Sequence, residues 1–154
     1  MYRLGDLDFM RAALRLAEEG TALASPNPRV GAVVARDQQI LGRGSHRYDD
    51  VTHAEVLALA QAGDAARGAT LYVNLEPCCH TGRTAPCVEA IIAAGIARVV
   101  AAMEDPNPKM AGAGCRRLQA AGIAVECGCL GREAQRLNED FAKWITTGLP
   151  WVTL

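Results

Sequence analysis

The chain has 154 residues, half of them apolar, which suits one domain with a sizeable core. Lys and Arg total 16 against 17 Asp and Glu, a formal charge of -1, and no stretch forms a basic stripe with interleaved aromatics, so charge does not argue for a nucleic-acid partner. No apolar run reaches the length of a membrane span, and the opening "MYRLGDLDFMRAALRLAEEG" carries four acids and no continuous apolar segment, so a cytoplasmic chain with six reduced cysteines is expected.

Residues 7–19 place Leu7, Met10, Leu14 and Ala17 at helical spacing, and "EEG" ends the pattern. "SPNPRVG", 25–31, is rich in turn formers. "VGAVVAR" and "QQILGRGS" then read as two strands joined by a short turn near Asp37. A helix over 53–62, a buried strand over 68–75 and a loop, "EPCCHTGRTAPC", follow. Next come a helix over 88–95 ending on Gly95, a strand "IARVVAAM", a helix "GAGCRRLQAAG", a strand "IAVECGCL" and a last helix from about Arg132 to Ile145. Trp144 and Trp151 are expected to anchor that last helix and the tail to the core. From Gly68 onward strands and helices alternate, which predicts a layered α/β domain with parallel strands in its second half; the leading hairpin makes the sheet mixed. No repeat or internal linker interrupts the chain, so one domain, 1–154, is the reading.

The chemistry is concentrated in two places. "VTHAEVLALAQAG" sets His53 and Glu55 where a loop enters a helix, and 25 residues further on the cysteine loop offers Cys78, Cys79, His80 and Cys87. In an α/β fold, loops at strand ends build the site, and two helix N-termini converging there favour thiolate over thiol. One histidine and two thiolates leave a zinc ion's fourth position open to water, whose pKa falls from about 15.7 to near 7. A glutamate that is not a ligand can then carry protons. His-x-Glu followed by Pro-Cys-x-x-Cys is the signature of the zinc deaminases. His53 and Glu55 match its first half, and Pro77 and Cys78 match the start of the second. The spacing then departs: Thr81 stands where Cys-x-x-Cys needs its second cysteine, and the next candidate is Cys87, after an eight-residue loop with Gly82 and Arg83 at its tip. Cys115, Cys127 and Cys129 read as small buried residues.

Together "SPNPRVGAVV", "THAEVLAL", "GATLYVNLEPCCHTGRTAPC", "AIIAAGIARVV", "EDPNPKMAGAG", "LNEDFAKW" and "TTGLPWVTL" closely resemble the deaminase domain of the bifunctional riboflavin-biosynthesis deaminase/reductase, over nearly the whole chain from about Phe9 to Leu154. The long cysteine loop is specific to that family among zinc deaminases. The resemblance implies a three-layer α/β/α cytidine-deaminase-like fold, a mixed sheet of about five strands with helices on both faces. It implies Zn2+ held by His53, Cys78 and Cys87, with Glu55 as the proton carrier and Cys79 outside the ligand set. It further implies a diaminohydroxyphosphoribosylaminopyrimidine as substrate, with water replacing the ring amino group and ammonia leaving. The matching substrate-side positions are Asn27, His46, His80, Arg83, Thr84, Asp105 and Asn107. The tail from about 147 would lead, in the family, into a nicotinamide-dependent reductase domain. A reductase, as a further domain or a separate protein, is the expected pathway partner, and a homo-oligomer is expected.

Two other readings use the same residues. A tRNA-editing or other nucleobase deaminase shares the histidine–glutamate half but calls for Cys-x-x-Cys and a more basic face. A non-catalytic structural zinc module needs a fourth protein ligand, Cys79 or His80, and leaves Glu55 without a purpose.

Overall fold

The computed structural model describes residues 2–20, 27–47, 51–82 and 84–152. Helix α1 (Asp6–Glu19) buries Met10, Ala13, Leu14 and Ala17, as the apolar spacing requires. Its first turn inverts the expectation, because Leu7 is exposed and Asp6 is fully buried. The reason is an ion pair. Arg98 places Nη1 2.9 Å from Asp6 Oδ1 and Nη2 2.8 Å from Oδ2, and the Tyr72 hydroxyl donates to Oδ1 at 2.7 Å.

Strands β1 (Gly31–Arg36) and β2 (Gln39–Ser45) form the expected hairpin. Its two-residue turn, Asp37–Gln38, holds positive φ at both positions, the geometry that matches the twist of paired strands. After helix α2 (Ala54–Ala62) come β3 (Thr70–Val73), α3 (Cys87–Ala93), β4 (Arg98–Ala101), α4 (Ala113–Ala120) and β5 (Ala124–Cys127). The five strands lie in the order β2-β1-β3-β4-β5; β1 is antiparallel to both neighbours, and β3, β4 and β5 run parallel. The mixed sheet is thus as expected, and Val33, Val34, Leu71, Val73, Val99 and Val100 form its buried centre.

The helices cover both faces, and glycines set the spacing. A Cβ on Gly31 would stand 2.0 Å from the Ala13 carbonyl of α1, and one on Gly44 would stand 2.1 Å from the Ala54 carbonyl of α2. Gly44 pairs with Ala32, the next residue along β1 from Gly31. Successive strand residues face opposite sides, so α1 and α2 lie on opposite faces of the sheet. The missing side chain at Gly44 lets the first turn of α2 sit directly on β2.

The C-terminal region departs from expectation. The helix expected over 132–145 is two helices, α5 (Gly131–Leu137) and α6 (Glu139–Thr147), broken at Asn138, whose φ of -116° leaves the helical region. Helix α5 packs against α1, whereas α6 buries none of its residues fully. Trp144 and Trp151 are 52% and 48% exposed, so neither anchors the tail; Lys143 Nζ lies 5.6 Å from the centroid of the Trp151 ring. The cysteines differ too. Cys129 is buried, Cys115 is half-buried, and Cys127 is exposed. No helix among the described residues is long and apolar enough to cross a membrane.

Candidate active site

His53 occupies the N-cap of α2 in extended conformation and makes no side-chain cap bond, so its imidazole is available elsewhere. It turns toward two sulfurs brought by the loop between β3 and α3. Cys78 follows β3, and Cys87 is the first residue of α3. Its amide donates to Cys78 Sγ at 3.3 Å, and the Val88 amide donates to the Cys78 carbonyl at 3.2 Å, which closes the long loop at its base. Helix α4 packs under the loop, with Gly114 so close that a Cβ there would meet the Pro77 carbonyl at 2.0 Å. His53 Nδ1 lies 2.9 Å from Cys87 Sγ and 3.6 Å from Cys78 Sγ.

The ligand atoms of His53, Cys78 and Cys87 all lie within 4.8 Å of one another, and among the described residues they are the one group of three or more such side chains able to hold a metal ion. One imidazole nitrogen and two thiol sulfurs at that separation suit zinc. Cys79 and His80 are not members of the group; Cys79 packs against the core, and His80 is exposed at the cavity rim. The neighbouring Cys87 thiol, against burial and aided by His53, lowers the Cys78 thiol below its ordinary value.

Glu55 lies in the first turn of α2, only 3% exposed. Burial pushes its carboxyl up to about 7. The second buried acid here is committed differently. Glu76 accepts from the amides of Asp105 and Gly112 on Oε2, both at 2.9 Å, and from the amide of Cys115 on Oε1 at 3.0 Å. It fastens the segment after β4 to the base of the cysteine loop, which leaves Glu55 as the buried carboxylate beside the ligand group.

A cavity of about 480 Å³ opens over this group. Of the residues expected to contact substrate, Asn27, His46, His80, Thr84 and Asp105 line it. Asn27 Nδ2 donates to His46 Nε2 at 3.2 Å, and His46 Nδ1 donates to the Thr52 carbonyl at 3.4 Å, so the His46 ring is oriented from both sides. Thr84 Oγ1 lies 3.5 Å from His53 Nε2. Burial raises the Asp105 carboxyl above its ordinary value. Asn107 does not line the cavity; its amide donates to Asp105 Oδ1 at 2.9 Å and its own Oδ1 accepts from the Lys109 amide at 3.1 Å. Arg83 lies outside the described residues. The cavity also uses Glu76 and Phe141, which sequence reasoning passed over. Both stood inside stretches already singled out, "EPCC" and "LNEDFAKW", but neither has a spacing that marks it.

A layered mixed sheet with a His/Cys/Cys group beside a buried glutamate defines the class, the cytidine-deaminase-like fold with a zinc-deaminase site. The family of the cytidine and deoxycytidylate deaminase zinc-binding region matches residues 5–103. The chain is 53% identical over 146 residues to the riboflavin biosynthesis protein RibD of Escherichia coli, covering 95% of this chain and 40% of that protein. It is 43% identical over 145 residues to the diaminohydroxyphosphoribosylamino-pyrimidine deaminase of Buchnera aphidicola, covering 94% of this chain and 99% of that one. The solved structure of Acinetobacter baumannii RibD superposes with a TM-score of 0.91 at 48% identity, over 95% of this chain and 41% of that one. This chain belongs to the deaminase family of riboflavin biosynthesis.

Proposed function

We propose that the chain hydrolyses the ring amino group of a diaminohydroxyphosphoribosylaminopyrimidine, giving the corresponding uracil and ammonia. The observation that supports this most is the placement of Glu55, a buried carboxylate in the same cavity wall as His53 and Cys78, two members of the ligand group that the buried Cys87 completes. Zinc held by those three residues supplies the Lewis acidity that makes water nucleophilic near neutral pH. Glu55 takes the proton of the attacking water. A carbon–oxygen bond forms at the ring carbon that bears the amino group. Glu55 then delivers a proton to the amino nitrogen, the carbon–nitrogen bond breaks, and ammonia leaves.

Asn27 and Asp105 face the cavity with groups suited to the pyrimidine's edge, and His46 stacks edge-on to His53 with 5.5 Å between ring centroids. His80 and Thr84 belong to the loop expected to meet the ribose phosphate, together with Arg83, and Asn107 supports the Asp105 turn. The chain works in the cytoplasm as a homo-oligomer, and a reductase consumes its product. Ammonia release from the phosphorylated pyrimidine, cytidine and a tRNA anticodon stem-loop tests the reading. Turnover confined to the phosphorylated pyrimidine is expected; preference for the tRNA would overturn it.

A further inference from the structure

Arg29 sits between Pro28 and Val30, both of which line the cavity, while Arg29 itself faces the C-terminal helices. Every hydrogen-bonding group of its peptide is taken by a side chain that no reaction step uses. Asn138, fully buried, accepts from the Arg29 amide on Oδ1 at 2.7 Å and donates from Nδ2 to the Arg29 carbonyl at 3.0 Å. Asn74, also fully buried, donates to the same carbonyl at 2.9 Å and accepts from the Gly31 amide at 2.8 Å. The Arg29 guanidinium extends the grip, with Nη1 donating to the Leu137 carbonyl and Nη1 and Nη2 forking onto Asp140 at 3.3 and 3.2 Å. Two residues before Arg29, Asn27 holds His46; one residue after it, the Val30 carbonyl accepts the His46 amide at 2.8 Å.

Asn138 is also the residue at which α5 ends and α6 begins, and three residues later Phe141 enters the cavity wall. A continuous helix would leave the Asn138 amide side chain on a helical path and carry Phe141 on another course. We propose that Asn138 is a positioning residue for substrate binding: its grip on the Arg29 peptide sets the Asn27–Val30 wall, and the helix break it makes directs Phe141 against the same cavity. The two effects share one cause, because the side chain that leaves the helical register is the one that reaches Arg29. The segment "LNEDF" thereby belongs to the substrate site although it lies about 50 residues in sequence beyond the nearest metal ligand.

This rests on the deamination reading, and the experiment separates the two. Ammonia release from the phosphorylated pyrimidine is followed for the zinc-loaded native chain, Asn138→Asp, Asn138→Ala and Phe141→Leu, with zinc content and thermal midpoint measured for each. Asn138→Asp keeps the acceptor for the Arg29 amide and sets a second acceptor against its carbonyl. KM is expected to rise about tenfold or more in both Asn138 variants and severalfold in Phe141→Leu, with kcat within about twofold and full zinc occupancy. A purely structural role would lower the thermal midpoint and the active fraction but leave the KM of the folded enzyme unchanged, and that result overturns the inference. Should the Asn138 variants fail to fold, an unchanged KM in Phe141→Leu overturns it alone. A native chain with no turnover sinks the deamination reading instead.

Discussion

His53 Nδ1 lies 2.9 Å from Cys87 Sγ although the two residues are 34 apart in the chain. The contact brings a helix N-cap and a helix first residue together, with Cys78 completing the group. Protein purified without chelator is expected to hold one zinc per chain. His53→Ala and Cys87→Ala should each lose it, since two remaining ligands make a weak site. Elemental analysis reads this directly; full zinc content in either variant contradicts the ligand set.

Glu55→Gln keeps the shape and removes the carboxylate. The variant should fold, retain zinc and lose about 10²–10⁴-fold in turnover. Ammonia release at a near-native rate would remove Glu55 from the proton path.

Gly44 supports the site from behind. Gly44→Ala would drive a methyl group to 2.1 Å from the Ala54 carbonyl, in the first turn of the helix that carries Glu55. Destabilisation of about 1–3 kcal/mol is expected, with reduced zinc content, because overpacking here displaces the helix that positions a ligand. Denaturant melts and metal analysis of the variant check it; native stability would mean that α2 yields without cost.

At the opposite end of the sheet, burial alone would raise the Asp6 carboxyl, but bonds from Arg98, the Arg3 amide and Tyr72 outweigh it and hold Asp6 at about 2. The native value lies below the unfolded one. The stabilisation is therefore fully present above about pH 4 and is lost as pH falls toward 2, an effect on the order of 2 kcal/mol. Asp6→Asn should be less stable at pH 7 and show a shallower decline over that window. Parallel acid titrations of the two proteins by circular dichroism test this, and identical curves refute it.

Cys127 is exposed, and the neighbouring Cys115 thiol lowers its pKa, so it should be the first cysteine alkylated in zinc-loaded protein. Peptide mapping after brief iodoacetamide treatment decides it; earlier labelling of Cys79 or Cys129 would be the contrary result.

Much of this site is legible in the sequence because its signals are local. His53 and Glu55 stand two apart at a helix start, the Pro–Cys pair follows a buried strand, and the hairpin turn announces itself between two apolar runs. Such features depend on residue type and short spacing, which the chain carries before it folds. Other features exist only once distant segments meet. Asp6 reads as an ordinary first-turn acid until Arg98 arrives 92 residues later to pair with it. Glu76 and Glu55 are alike as letters; three backbone amides from the segment after β4 commit one, and burial against the ligand group distinguishes the other. The apolar period from Arg132 to Ile145 runs unbroken through Asn138, because a break of one residue leaves the pattern intact while redirecting the helix. What ends the helix there is the Arg29 peptide, 109 residues away, whose buried polar groups require partners that only the folded chain can bring.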